Sequence, residues 1–264
     1  MRLIRLRPYW KTAAMEAAGA IGDDPLFLLQ YLFRLLRVLV LLSIWQVIFA
    51  GRGAVAGMSA ASVLTYTLIE EVFADPLTTR TELWVSLRDG SLAVSFLQPM
   101  GLVGQFTSKM IGRWFFGSVT FSLPLLMLSP LLGVSPMPAS AAALALFVIS
   151  LVLAITVGVA LEFIFGGLMV YFEYSTYAIE NLRSAVSVLL SGALIPLQLM
   201  PWGMGEVLRW LPFASVASAP LTIYTGTGDP LFLLVMQALW AVILWPVAGW
   251  LWRLNRERLV SFGG

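Results

Sequence analysis

The sequence predicts an all-α integral membrane protein with six transmembrane helices forming a single transmembrane domain. Three observations carry that expectation: an apolar composition, apolar runs of membrane-crossing length, and basic residues gathered on one side. At 59% hydrophobic and 11% charged over 264 residues, the chain is far from a soluble domain, in which roughly 25% of residues are charged. A helical span needs about 20 apolar residues to cross about 30 Å of hydrocarbon. Threading the apolar runs gives spans at 26–50, 57–74, 108–132, 140–172, 182–200 and 231–252.

With both termini cytoplasmic, this threading places Arg2, Arg5, Arg7, Lys11, Arg34, Arg37, Arg80, Arg88, Lys109, Arg113, Arg183, Arg253, Arg256 and Arg258 inside. Only Arg52 and Arg209 fall outside. Cytoplasmic segments near spans retain Lys and Arg, so the asymmetry fixes span number and orientation together. The net charge of +2 is explained by topology and points to no nucleic-acid partner. Zero cysteines exclude disulfides and thiolate metal sites. Zero histidines remove the commonest general base and transition-metal ligand.

Each element has its own signal. Residues 1–25 mix Arg7, Lys11 and Glu16 with Tyr9, Trp10 and Met15, the pattern of an amphipathic helix on the inner membrane surface. Asp23, Asp24 and Pro25 then read as a helix start. Gly51-Arg52-Gly53 is an outer turn, and Asp75-Pro76 stops the second span. The polar stretch 77–104 belongs inside. The apolar run from Ala139 to Phe172 is 34 residues, or about 51 Å at 1.5 Å per residue, so it must tilt, break or project. Residues 201–230 form an extracellular hairpin or loop with a short helix from Trp202 to Trp210.

Charges at membrane depth single out five residues. Arg37 lies 13 residues before Ala50, and Glu70 lies 13 residues after Gly57, so each sits about 20 Å below the outer end of its span. An unpaired charge there costs at least about 2.5 kcal/mol. Arg37, with Arg34, is therefore expected to pair with Glu70 or Glu71 across antiparallel spans. Glu162 sits in the inner half of the fourth run and is expected to make an interhelical hydrogen bond or line a cavity. No P-loop, zinc-protease helix or Ser-His triad is present, because each needs a glycine spacing or a histidine that the chain lacks. Any energy source is then a partner or an ion gradient.

The order of segments resembles the permease subunits of type-2 ABC exporters, in the small bacterial six-span branch. The resemblance rests on Leu87-Arg88-Asp89-Gly90-Ser91-Leu92 and Phe96-Leu97-Gln98-Pro99-Met100 after span two, and on Leu190-Ser191-Gly192-Ala193-Leu194-Ile195-Pro196-Leu197 in span five. Pro201, Leu211-Pro212-Phe213 and Pro220 complete it. It implies a half-transporter of the bacterial inner membrane that pairs with a second, identical or homologous permease amid membrane lipids. It also implies ABC ATPase subunits that bind ATP and Mg, neither being bound by this chain. The segment after span two would dock on the ATPase, which makes Arg80, Glu82, Arg88 and Asp89 its contact candidates. The competing expectations are a proton-coupled secondary transporter of amphiphilic compounds dependent on Glu162 or Glu70, a membrane-embedded enzyme, and a scaffold.

Overall fold

The computed structural model describes residues 6–19, 27–172 and 175–255. The expected helix start at Asp23, Asp24 and Pro25 lies outside the described residues, as do Arg2, Arg5, Arg256 and Arg258. Among the described residues, four helices are long and apolar enough to cross a membrane: Leu29–Phe49, Leu102–Leu132, Ala141–Tyr171 and Pro230–Leu254. The helices within the second and fifth expected spans are shorter, at 13 and 15 residues.

Helix α1 (Leu6–Gly19) leads to α2 (Phe27–Phe49). In α2, Val38, Leu42, Trp45 and Phe49 are buried while Leu32, Phe33, Leu36, Val40 and Val47 are exposed. That 3.6-residue periodicity gives one face to the protein and the rest to hydrocarbon. The turn after α2 contains an unexpected hairpin, β1 (Ala54–Val55) against β2 (Met58–Ser59), with Ala54 opposite Ser59 and Val55 opposite Met58. Ala56 and Gly57 both take positive φ, at 49° and 80°, as tight hairpin turns require. Two-residue strands carry no sequence periodicity, so nothing announces them.

Helix α3 (Ala60–Val72) starts where Ser59 Oγ accepts the Ser62 N–H at 3.1 Å. Its second half, from Thr65 onward, is buried throughout. A helix sheathed by neighbours does not have to present the full hydrocarbon length to lipid, which accounts for its shortness. The chain then makes three short helices, α4 (Ala74–Thr78), α5 (Leu83–Arg88) and α6 (Leu92–Phe96).

The third rod begins at Leu102, earlier than expected, as α7 (Leu102–Gly117). It passes through a π-turn, Ser118–Ser122, into α8 (Leu123–Leu128) and a 3-10 turn, Ser129–Leu132. Pro124 lacks an N–H and crowds the carbonyl four residues back; the π-turn relieves that conflict without breaking the rod. Helix α1 lies along α7. A side chain at Gly104 would strike the Tyr9 ring, and one at Gly112 would strike the Ala13 carbonyl, so small residues set the close approach.

Helix α9 (Ala141–Tyr171) is unbroken over 31 residues, roughly 46 Å. Its C-terminal half, from Val157 to Val170, is largely buried; α4, α5 and three later helices pack on α9. Helix α10 (Thr176–Leu190) ends ten residues short of the expected Met200. There Gly192 turns the chain with φ 75°, Tyr66 Oη donates to the Gly192 carbonyl at 2.7 Å, and the Ser218 N–H donates to the Ser191 carbonyl at 2.9 Å.

The stretch 201–230 divides: residues 201–210 are largely exposed, whereas residues 214–224 are buried. After α11 (Met204–Leu208), α12 (Ser218–Thr225) is buried from Ser218 to Tyr224, packed on α9, α3 and the last helix. That last helix, α13 (Pro230–Leu254), is capped by Asp229, whose Oδ1 accepts the Leu231 N–H at 3.0 Å, and it packs most extensively on α9. The central core joins Trp45, Tyr66, Phe147, Leu221 and Tyr224, and a second core gathers Leu83, Phe106, Met110, Phe163 and Ala248. Gly158 of α9 abuts Thr79, leaving no room for a Cβ. Gly158→Ala is expected to cost about 1–3 kcal/mol through overpacking, read as a lower midpoint in thermal unfolding of the detergent-solubilised protein.

Candidate functional site

Two clusters of charge lie inside the helical bundle, and a cavity of about 340 Å³ lined by Glu70, Arg80, Arg183, Ser184, Ser187 and Ser191 runs between them. The first cluster joins α2 to α3. Arg37 Nη2 stands 2.6 Å from Glu71 Oε1 and 3.4 Å from Glu70 Oε2. Arg34 reaches Glu71 Oε2 at 3.7 Å and Asp75 Oδ2 at 3.6 Å, and donates to the Glu71 backbone carbonyl at 2.8 Å. Its guanidinium also stacks on Phe121, 4.2 Å from the ring centroid. The Glu71 side chain is 0% exposed while that of Arg37 is 50% exposed. Sealed carboxylates thus meet a half-open guanidinium, and Asp75 joins the group from α4.

The second cluster is deeper and more highly connected. Glu162 Oε2 on α9 is 3.1 Å from Arg183 Nη1 on α10. Arg183 also donates to both oxygens of Glu180, at 2.8 and 2.9 Å. Glu180 accepts from Arg80 at 3.1 Å and from Ser184 at 3.2 Å. Glu162 Oε1 accepts the Thr81 N–H and hydroxyl at 3.1 and 3.0 Å. Glu162, Glu180 and Arg183 are all buried. Alternating charge is what makes their burial tolerable, since a buried ion that loses its partner is strongly destabilising.

Between the clusters, the Thr79–Glu82 stretch forms an elbow. Thr79 and Glu82 have φ of 49° and 58°, a left-handed conformation uncommon outside glycine. Every side chain of the elbow is anchored: Thr79 against Gly158, Arg80 on Glu180 and Ser184, Thr81 on Glu162, and Glu82 on Arg113 of α7 at 2.8 Å. Glu16 of α1 lies 3.9 Å from Lys109 and 4.0 Å from Arg113, which ties the first helix into the same network.

The candidate docking residues therefore divide. Arg80 and Glu82 are engaged within the chain, whereas Arg88 and Asp89 are exposed where α5 meets the Gly90 turn. Asp89 Oδ1 accepts the Ser91 N–H at 2.9 Å, and this bond holds its carboxyl below the ordinary range. Among the described residues Arg88 makes no hydrogen bond or ion pair. No group of three or more His, Cys, Asp or Glu side chains that could hold a metal ion occurs among the described residues.

The profile of the ABC-2 family transporter proteins matches residues 35–263 of this chain. The chain belongs to that family. Membership makes it a multi-pass membrane component of an ABC transporter, not itself the ATPase, and implies association with ABC ATPase subunits. No curated protein matches the chain. Within this ABC-2 family member, Glu180, Arg183 and Thr81 are the site residues that sequence reasoning missed. The available signal was Glu180 and Arg183 at a three-residue helical spacing, overlooked because Arg183 reads as an anchor at the inner end of a span.

Substitution separates the contributions of the two partners in the second cluster. Arg183→Leu leaves the Glu162 carboxylate with no cation and is expected to cost about 3–5 kcal/mol. Glu162→Gln keeps an oxygen for the Thr81 donors and is expected to cost less. Thermal unfolding in mild detergent ranks the two; an Arg183→Leu midpoint equal to wild type contradicts the account.

Proposed function

We propose that this chain is the membrane-spanning half of an ATP-driven exporter of the bacterial inner membrane, crossing it six times with both termini inside. It builds a substrate path with a second, identical or homologous permease, and separate ATPase subunits holding ATP and Mg²⁺ supply the energy. Helix α1 rests on the inner surface, with Arg7, Trp10, Lys11 and Met15 on its exposed side. Basic residues and an aromatic on one face suit an anionic membrane surface.

The observation that carries this reading is the contrast between the two ends of the segment after α3. Its root, Thr79–Glu82, is tied to α7, α9 and α10, while its tip, Arg88 and Asp89, is free of the bundle. A partner that grips the tip displaces the root, and the root moves three spanning elements together. ATP then drives transport to the extent that the inward and outward arrangements differ in their affinity for the closed ATPase pair. The cavity flanked by Glu70 and Arg183 lies beside the moving parts and is the natural site for a polar portion of the cargo.

Reversing both tip charges, Arg88→Glu with Asp89→Lys, opposes like charges to the partner, which costs several kcal/mol at an interface. ATPase co-purification is expected to fall by more than about ten-fold with membrane insertion intact; unchanged co-purification removes the proposed docking point. Since the native chain has no cysteine, single replacements report sidedness cleanly. Arg52→Cys is expected to react with an impermeant maleimide on intact cells, and Arg88→Cys only after permeabilisation.

A further inference from the structure

An apolar groove of about 520 Å³ lies between the α6–α7 corner and α13. Its walls include Phe96, Leu102 and Val103 on one side and Phe163, Trp245 and Trp252 on the other. This size falls within the roughly 300–1,000 Å³ of small-molecule sites. Trp252 Nε1 donates to the Phe163 carbonyl at 2.7 Å, so the polar edge of that indole is already used and its ring serves as a fixed apolar wall. Gly101 and Gly249 both line the groove, and a Cβ built on either meets nothing within 4 Å. The space at these positions is open to an occupant.

Charge complementarity says which occupant. No Asp, Glu, Lys or Arg lines the groove. One helical turn beyond Gly249, exposed Arg253 donates through Nε to the Gly249 carbonyl at 3.2 Å, which holds a guanidinium at the groove's edge. Among the described residues that guanidinium has no carboxylate partner. An apolar slot between spanning helices, with an exposed guanidinium at the cytoplasmic end of α13 that has no carboxylate partner among the described residues, is the arrangement that takes an anionic lipid.

We propose that this groove binds one acyl chain of an anionic phospholipid, with its phosphate on Arg253. The lipid wedges between the α6–α7 corner and α13, so it props the end of the docking segment against the last spanning helix. This rests on the spanning character of α7 and α13, with Arg253 on the inner side as proposed above, and does not depend on the ATPase partnership. A failure here therefore leaves the docking experiment untouched, and the converse holds.

The test is native mass spectrometry of the full-length protein, delipidated and titrated with phosphatidylglycerol or phosphatidylcholine of the same acyl chains. Wild type is expected to retain one phosphatidylglycerol in preference to phosphatidylcholine. Arg253→Gln is expected to weaken phosphatidylglycerol by about five-fold and leave phosphatidylcholine unchanged. Gly249→Leu, which grows into open space and so preserves the fold, is expected to abolish the retained lipid of either kind. Equal retention of the two lipids by wild type, or undiminished phosphatidylglycerol on Gly249→Leu, overturns the proposal.

Discussion

The ion pair between Arg183 and Glu162 is the constraint around which α9, α10 and the segment after α3 are arranged. It joins α10 to α9 at 3.1 Å, in a position where neither charge is tolerable alone. Once Arg183 is committed to Glu162 and Glu180, the remaining acceptor positions of those carboxylates dictate the course of the chain after α3. Thr81 must return to Glu162, and Arg80 must reach Glu180. The left-handed backbone at Thr79 and Glu82 follows from meeting both demands within consecutive residues. Strain of order 1–3 kcal/mol at such positions persists only where the surroundings over-determine them, and here four anchored side chains in a row do so.

The same connectivity separates stiff from compliant parts. The elbow is fastened to α7, α9 and α10, and through Arg113 and Glu16 to α1 as well. From α5 onward the segment rests on apolar contact through Leu83, Leu87 and Leu92, which is less directional than an ion-pair lattice. Displacement applied at the α5–α6 turn thus has a defined lever and a defined fulcrum. Interfaces of this kind move between discrete packings rather than deform continuously.

The charge pattern of the sequence reveals the first cluster and conceals the second for the same reason. Depth counting works for Arg37 and Glu70 because each lies in a run bounded by clear turns, Gly51 to Gly53 on one side and Asp75-Pro76 on the other. Glu162 sits in an apolar run of ambiguous register. Its partner Arg183 lies close to the start of the next helix, where an arginine looks like an anchor. The buried stretch that leads into α12 was illegible for a different reason: Ala214-Ser215-Val216-Ala217, with Ser218 and Ala219 of the helix's first turn, is small, uncharged and only mildly apolar, so it resembles a loop. Smallness is what allows it to enter the bundle, with Ser215 taking Gln237 and Ser218 bonding to Ser191. Expecting the fifth helix to run to Met200 likewise overlooked Gly192, which turns the chain with φ 75° beneath the Tyr66 hydroxyl.

The π-turn at Ser118–Ser122 has a bearing on how the two ends of the third rod are oriented. One extra residue in a helical turn advances the azimuth of everything beyond it by about 100°. Before the turn, Gly104 and Gly112 face α1; at its end and after it, Phe121 and Leu125 face Val38, Leu42 and Leu68. A uniform α-helix of the same sequence could satisfy only one of these two docking faces. The turn therefore acts as a phase corrector, which lets a single rod serve two partners that sit at different angles around it.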